Sequence, residues 1–320
     1  MSKSPVEPSV AQFPASGLGA TARRVFFATR PKFLTASVLP VLVGTAMGSA
    51  GARHINWTIA GLAMTATALA HAATNIYNDV GDAVNGTDSA NVDRIYPYTG
   101  GSRFIQNGVL TKASALRIAI GFGSAALVAG MLLTALRGPA ILAFGIVGLA
   151  LGLLYSQPGV ELSGRGLGEL ACGLGLGMLP VVGAGWLQSA VIDTRSLLVG
   201  GIVSIWVALI LLINEVPDRE ADARAGKRTL VVRFGRAGAA SLYGVLSVVS
   251  LGLAVLLVTR GSLSLWAGVP VTGLAVAGTL TGRDITVAAS DRTALRALIE
   301  RTLGIHAVGC TLLTVGLFLR

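Results

Sequence analysis

The sequence predicts an all-α, polytopic membrane protein, and three observations lead to this fold class. The 320 residues are 53% hydrophobic and only 12% charged, which is too little charge for the surface of a soluble protein of this size. Successive apolar stretches each approach the ~20 residues that a membrane-crossing helix needs. The 42 glycines suit helices that pack closely in lipid. We therefore predict a single bundle of nine transmembrane helices.

Most connections between the predicted spans are short, but two are long, roughly 78–113 and 214–237. The N-terminal stretch is rich in Ser, Pro and Ala, so we predict a disordered cytoplasmic tail over 1–22 and one membrane domain over 23–320. This stretch lacks a basic start that leads into an apolar core, and it is not predicted to be a signal peptide. The predicted spans are 33–51, 57–77, 114–136, 139–156, 167–189, 196–213, 238–259, 262–281 and 295–319.

Basic residues are distributed unevenly between the two sides of the predicted bundle. With the N-terminus inside, twenty of the 25 Lys and Arg residues fall on the inner side and five fall outside. This positive-inside pattern predicts a multi-pass protein of the inner (cytoplasmic) membrane with a cytoplasmic N-terminus. Because the basic residues lie between apolar stretches and not along one polar face, we predict the lipid bilayer and no nucleic acid as a partner.

The first candidate functional cluster follows the second predicted span directly. If the helix continues through it, Asn78 and Asp82 lie one turn apart on one face, as do Asn75 and Asp79. Charge at the end of an apolar span is costly unless it is paired, hydrated or bound to a cation. Carboxylate oxygens are hard donors that suit Mg²⁺ better than zinc or copper. This segment therefore predicts a magnesium-binding helix end.

A second cluster repeats the i, i+4 spacing after another apolar stretch, with Asn214, Asp218 and Asp222. On the predicted topology both clusters fall on the inner side. Two such clusters that face each other would form a site for a metal-bound diphosphate. The sequence thus predicts one inward-facing site made from both.

Each acidic cluster is followed by basic residues, and this order makes chemical sense for a diphosphate. Carboxylates alone would repel the diphosphate, so they must act through Mg²⁺. Arg and Lys can bind the remaining oxygens directly, and the backbone amides of Gly100 and Gly101 could approach a phosphate closely. The basic residues are Arg94 and Arg103 after the first cluster, and Lys227 and Arg228 after the second.

These segments resemble the aspartate-rich motifs of the UbiA superfamily of intramembrane aromatic prenyltransferases. Members are nine-helix proteins that transfer a polyprenyl group from its diphosphate to an aromatic acceptor. The resemblance runs from about Arg30 to the last span and is greatest to the 1,4-dihydroxy-2-naphthoate prenyltransferases of menaquinone synthesis. The motifs that carry it are Asn78-Asp79-x-x-Asp82 with Gly86-x-Asp88, Asp93-Arg94-Ile95, Gln106-x-Gly108, and Asp218-x-x-x-Asp222 with Gly226-Lys227-x-Thr229-Leu230.

The resemblance implies a role for each candidate residue. The metal set is Asn78, Asp79, Asp82, Asp88, Asp218 and Asp222, with Asp82 and Asp218 also predicted as catalytic. Tyr155 matches a tyrosine that faces the reacting allylic carbon. The predicted diphosphate-binding set is Arg30, Asn75, Arg94, Arg103, Asn214, Lys227 and Arg228. The implied cofactor is Mg²⁺, and the implied partners are a polyprenyl diphosphate and an aromatic acceptor, with demethylmenaquinone as the expected product.

The chain departs from the subfamily at Glu215 and Pro217, where Asn and Arg are usual, and the segment Tyr96–Gly101 is longer. These changes leave open a different acceptor or a terpene-cyclising activity within the superfamily. Other classes fit less well. A soluble isoprenyl diphosphate synthase would lack the apolar spans, and a membrane phosphatidyltransferase would carry an Asp-Gly-x-x-Ala-Arg-type motif. A transporter, the distant alternative, would place its charges at mid-membrane in broken helices.

Overall fold

A computed structural model describes residues 6–14, 17–50, 54–288 and 291–319, and its regular structure over these residues is entirely helical. A π-helical turn over Gly173–Met178 joins the helix Gly168–Cys172 to the helix Leu179–Ser189, so the two form one continuous span, Gly168–Ser189. The helices are α1 (Leu18–Ala28), α2 (Pro31–Ser49), α3 (Trp57–Asn85), α4 (Thr87–Ala90), α5 (Lys112–Arg137), α6 (Ile141–Ser156), α7 (Gly168–Cys172), α8 (Leu179–Ser189), α9 (Thr194–Arg224), α10 (Leu230–Thr259), α11 (Leu265–Ala288) and α12 (Arg292–Phe318).

Eight helical segments in the described residues are long and apolar enough to cross a membrane. The chain is thus a multi-pass membrane protein. The remaining predicted span, 139–156, corresponds to α6, which has only 16 residues and measures about 24 Å, less than the ~30 Å hydrocarbon core. The predicted count of nine is therefore not met on length. Large apolar side chains of α6, such as Ile146 and Leu149, are exposed as a lipid-facing surface requires.

Helix ends are set by short polar residues and glycine. The side chain of Asn56 accepts a hydrogen bond from the Ile59 N–H at 3.0 Å and begins α3, while Gly86, at φ 82°, ends it in the left-handed conformation that glycine tolerates. Asp193 and Ser196 form a reciprocal capping box at the start of α9. These two long helices carry the acidic clusters, so their caps fix where the clusters lie.

The bundle is held together where glycines let helix backbones touch. A Cβ atom at Gly44 would collide with the Val181 carbonyl, and one at Gly48 with the Gly185 carbonyl. The indole ring of Trp206 on α9 packs against Gly309 of α12 in the same way. Close approach of this kind replaces the hydrophobic drive that lipid cannot supply. It fixes α2, α8, α9 and α12 relative to one another.

The described part of the N-terminal stretch differs from the disordered tail predicted for 1–22. Phe13 is buried against Phe104, with ring centroids 5.0 Å apart, and α1 already begins at Leu18. The richness of the stretch in Ser, Pro and Ala predicted disorder, yet Phe13 anchors its described part. Residues 1–5 and 15–16, also part of that prediction, lie outside the described residues.

The two long inner connections predicted from 78 and from 214 are also largely helical at their start. Helix α3 continues about two turns past its predicted end, to Asn85, and α9 continues about three turns, to Arg224. Pro217 does not interrupt α9. Hydropathy falls where charge begins, so the apolar pattern ends before the helix does. The acidic residues therefore stand on rigid helix extensions, except Asp88 in the short α4.

Candidate active site

The C-terminal end of α3 carries the first acidic cluster in the i, i+4 register that the sequence predicts. Asp79 is buried and forms an ion pair with Arg30, the left-handed residue before α2. The Asp79 carboxylate also accepts hydrogen bonds from the backbone N–H of Ser102, at 3.3 and 3.4 Å. The amide of Asn78 donates to the Ser156 hydroxyl at 3.1 Å. The helix end is thereby attached to the α1–α2 junction, the following loop and the end of α6.

The carboxylate of Asp88 lies near that of Asp79 at this helix end, and both lie close to Gly101. Gly101 has φ +74°, and a Cβ atom there would lie 2.6 Å from Asp88 Oδ2 and 3.1 Å from Asp79 Oδ1. The two carboxylates therefore lie on either side of one backbone position, which only glycine can occupy without displacing them. Asp88 also accepts a hydrogen bond from the Gln106 amide at 2.9 Å.

The second acidic cluster meets the first at the same end of the bundle. Asp218 on α9 accepts hydrogen bonds from the Asn91 amide at 2.8 Å and from the Gly100 N–H at 3.2 Å. Lys227, just after α9, donates to Asp82 of α3 at 2.6 Å. Both contacts cross between segments more than a hundred residues apart in the chain. The two predicted clusters therefore lie together at one end of the bundle.

Carboxylates dominate the electrostatics of this site. Burial and the negative charges of Asp82 and Asp79 raise the pKa of Asp88 to about 8. Burial lowers the pKa of Lys227, but the carboxylates of Asp82 and Asp222 outweigh it and leave that pKa above its ordinary value. Both pKa values are raised because the buried acidic groups outnumber the cations beside them. The site is therefore suited to a cationic ligand.

Several residues predicted to bind diphosphate are engaged within the protein. Asn75 donates to the Thr29 carbonyl at 3.0 Å. Arg94 donates to the Asn91 carbonyl at 2.7 Å, and Arg103 donates to the Asp88 carbonyl. Arg228 is exposed, and its backbone N–H donates to the Gly164 carbonyl at 2.7 Å. Of the predicted basic residues, Lys227 and Arg30 lie directly against the acidic clusters.

The two acidic helix ends, joined at one side of a helical membrane bundle, can be compared with known proteins. The sequence profile of the UbiA prenyltransferase family matches residues 37–299. The chain belongs to the UbiA prenyltransferase family. It is therefore a prenyltransferase, and the resemblance on which the sequence interpretation was based is confirmed.

Relatives of this UbiA protein include two curated bacterial enzymes. It is 30% identical over 239 residues to the 1,4-dihydroxy-2-naphthoate octaprenyltransferase of Bacillus subtilis (strain 168), and the match covers 74% of each chain. It is 28% identical over 296 residues to the enzyme of that name from Escherichia coli (strain K12), over 91% of this chain and 93% of the other. The fold is similar to that of a UbiA homologue from Archaeoglobus fulgidus bound to GPP and Mg²⁺, with a TM-score of 0.64 and 17% identity, over 91% of this chain and 99% of that one.

The oxygen donors of this UbiA chain fit a magnesium–diphosphate complex better than a bare ion. No three His, Cys, Asp or Glu side chains in the described residues converge closely enough to hold an ion alone. Magnesium commonly takes one or two carboxylates and completes its shell with water and substrate phosphate oxygens. The side-chain oxygens of Asn91 and Asn214 are also buried without a hydrogen-bond partner among the described residues. Such orphaned acceptors are suited to a metal-bound water.

Tyr155 lies half-buried at the C-terminal end of α6, near Cys172 of α7. Next to it, Glu215 and Glu169 are buried side by side from α9 and α7. Glu215 precedes Asp218 by three residues and therefore lies on the same stripe of α9, one turn deeper. Glu215, one of the positions at which this UbiA chain departs from the subfamily, therefore lies near Tyr155.

Sequence reasoning missed two further contributors to the site. The connection between α3 and α5, residues 86–111, is called the first acidic loop here. Asn91 bridges this loop to Asp218, and Gln106 donates to Asp88. Gln106 belongs to a motif that carried the family resemblance, so its position could have been found. Asn91 has no periodic or spacing signal, because its partner is 127 residues away.

Proposed function

We propose that this prenyltransferase transfers a polyprenyl group from its diphosphate to 1,4-dihydroxy-2-naphthoate, with Mg²⁺, and forms the reduced form of demethylmenaquinone. The observation that carries the proposal is the meeting of the two acidic helix ends, with Asn91 bound to Asp218 at 2.8 Å and Lys227 bound to Asp82 at 2.6 Å. The names of the Bacillus subtilis and Escherichia coli relatives support the acceptor and the prenyl donor.

Four of the clustered carboxylates would hold the metal–diphosphate complex from two sides. Asp82 and Asp88 approach from α3 and α4, while Asp218 and Asp222 approach from α9, with Asn78 and Asp79 beside them. Mg²⁺ held by these carboxylates would neutralise the negative charge that develops on the diphosphate as the allylic C–O bond breaks. Lys227 and Arg30 lie against the carboxylates, where they would bind diphosphate oxygens that the metal leaves free.

The remaining steps need an electron-rich, dry environment around the allylic carbon. The C–O bond breaks with its electron pair on the departing diphosphate, and the aromatic ring then attacks the allylic cation to form a C–C bond. Loss of the ring carboxylate as CO₂ restores aromaticity. Tyr155 and Tyr77, at the inner ends of α6 and α3, would stabilise the cation through their ring faces, worth about 2 kcal/mol when water is excluded.

The distribution of basic residues supports a site that faces the cytoplasm. In the proposed topology, twenty of the 25 Lys and Arg residues lie on the side of the membrane that carries both acidic clusters. The prenyl tail would lie among the apolar helices, which explains why the reaction takes place in the membrane.

A different acceptor within the same family is the second candidate, and Glu215 favours it. Where the subfamily usually has Asn, this chain places a buried carboxyl beside Glu169 and close to Tyr155. Such a pair would prefer an acceptor that offers a hydrogen-bond donor over one that offers a carboxylate. The reaction type would be unchanged.

The test is an assay of the purified protein with 1,4-dihydroxy-2-naphthoate, a panel of other aromatic acceptors and polyprenyl diphosphates of several lengths. We expect a product whose mass equals that of the acceptor plus the prenyl group, less CO₂ and one hydrogen atom, formed with Mg²⁺ and lost in EDTA. A product from another acceptor alone would establish the second candidate. Absence of product with every acceptor would contradict prenyl transfer to an aromatic ring, and unchanged activity in EDTA would contradict the metal site.

A further inference from the structure

The N-terminal segment, residues 6–14, lies outside the 37–299 region matched by the family profile, yet it packs on the first acidic loop. It turns at Ser9, whose carbonyl accepts from the Phe13 N–H at 3.1 Å. The Phe13 ring lies 5.0 Å from the ring of Phe104 and 5.8 Å from that of Phe27. Arg23 lies over the same ring at 5.2 Å. An aromatic anchor thus holds this segment in place.

The segment places one carboxylate, Glu7, against two arginines of the loop. Both Nε and Nη2 of Arg94 lie 2.6 Å from Glu7 Oε1, and Nε of Arg103 lies 3.9 Å from Glu7 Oε2. The amide of Asn107 donates to Glu7 Oε2 at 3.3 Å and to the Pro8 carbonyl at 2.8 Å. Two guanidinium groups this close repel each other, and Glu7 offsets that repulsion.

These two arginines hold the turn that presents site residues. Arg94 donates to the Asn91 carbonyl at 2.7 Å and Arg103 donates to the Asp88 carbonyl. Asp88 belongs to the proposed metal set, and Asn91 reaches across to Asp218. The chain of contacts therefore runs from Glu7 through both guanidinium groups to the backbone that orients Asp88 and Asn91.

We propose that Glu7 is a positioning residue for the diphosphate site, an inference that rests on the proposed function. By holding Arg94 on the Asn91 carbonyl and Arg103 on the Asp88 carbonyl, it keeps the first acidic loop in its binding conformation. The opposite role would change the affinity for diphosphate in the opposite direction. If Glu7 instead competed with the diphosphate for the two arginines, its removal would strengthen diphosphate binding.

The experiment compares Glu7→Gln and Glu7→Asp with the wild-type full-length protein. Isothermal titration with inorganic pyrophosphate and Mg²⁺ measures the site without requiring turnover. We expect Glu7→Gln to raise the dissociation constant about three- to fivefold, which corresponds to the loss of a half-exposed ion pair. Glu7→Asp keeps the charge and should give a smaller increase. In turnover assays the KM for the prenyl diphosphate should rise while kcat changes little.

The matched control is Asp284→Asn, which breaks a 2.7 Å ion pair between α11 and α12 and should leave the dissociation constant unchanged. Thermal melting of each variant separates a shifted loop from general destabilisation, because Asp284→Asn should lower the melting temperature as much as Glu7→Gln. Unchanged or tighter pyrophosphate binding in Glu7→Gln would overturn the inference. Wild-type protein that binds pyrophosphate but forms no prenylated product would refute the proposed function and leave the role of Glu7 intact.

Discussion

Asp82 and Lys227 form the ion pair that joins the two acidic helix ends, and their 2.6 Å contact is largely buried. A buried pair of this kind is costly to break from one side, since the remaining charge stays desolvated. The same carboxylate is one of those proposed to hold the metal. Single residues at this junction therefore affect ligand binding and local structure together, and variants must be chosen to separate the two.

Asp82→Asn and Asp218→Asn each remove one negative charge with almost no change of shape. We expect turnover to fall at least about 100-fold in each, because both carboxylates act on charge that develops as the diphosphate leaves. Prenyl transfer by purified protein is the measurement, with membrane yield as the check on folding. Glu220→Gln is the control, since its exposed side chain lies on the same helix. Near-normal rates in both aspartate variants would contradict the metal site.

Gly101→Ala tests the close approach of Asp79 and Asp88 to one backbone position. The added methyl group would lie 2.6 Å from Asp88 Oδ2 and should displace that carboxylate, raising the Mg²⁺ concentration needed for half-maximal activity about tenfold. Gly226→Ala is a matched control, because Gly226 has a similar φ of +79° but nothing within 4 Å of the added atom. Both substitutions carry the ~1–2 kcal/mol cost of a left-handed alanine. Equal effects on Mg²⁺ dependence would contradict the account.

At the scale of elements, α3 and α9 position the site because they extend beyond the apolar stretches that define them in the sequence. Their i, i+4 acidic spacing could be predicted, and it is correct. The residues at which the two helices end could not be predicted, because the hydropathy signal ends at the first charges while the backbone hydrogen bonds continue. The burial of Phe13 and the contacts of Asn91 also escaped prediction, since both depend on partners distant in the chain.

Gly48→Val tests the packing of α2 on α8. The Gly48 backbone lies against the Gly185 carbonyl, so a valine must push the helices apart, at about 1–3 kcal/mol. We expect a lower melting temperature in detergent. Gly61→Val on α3 shares the β-branched side chain but has no atom within 4 Å of its Cβ position, and it should melt close to the wild type. If both variants melt alike, helix contact at Gly48 contributes little to stability.

For the whole molecule, sequence predicted the fold class and the meeting of two acidic segments, because both follow from hydropathy and from charge. The helix count was harder. The predicted span 139–156 corresponds to α6, whose 16 residues are too few for α6 to count as a span by length. Its contribution to the bundle depends on its contacts with α3 and α5, and sequence periodicity does not record these contacts.

The proposed topology predicts which loops face the cytoplasm. Ser89 lies in α4 beside the acidic site, and Arg260 lies at the opposite end, after α10. In intact cells, a membrane-impermeant maleimide should label Arg260→Cys, and should label Ser89→Cys only after permeabilisation. The wild type is the control, because Cys172 and Cys310 lie within membrane helices. The reverse pattern would place the site on the outer face.

We propose that the helix ends of α3 and α9 hold one metal–diphosphate complex between them. The most direct test is an experimental structure of the full-length protein with Mn²⁺ and a non-hydrolysable prenyl diphosphate analogue, in which anomalous scattering locates the metal. We predict metal peaks within ligand distance of Asp82 or Asp88 on one side and of Asp218 or Asp222 on the other, bridged by diphosphate oxygens. Metal bound to one helix end alone, or diphosphate bound elsewhere in the bundle, would contradict the account.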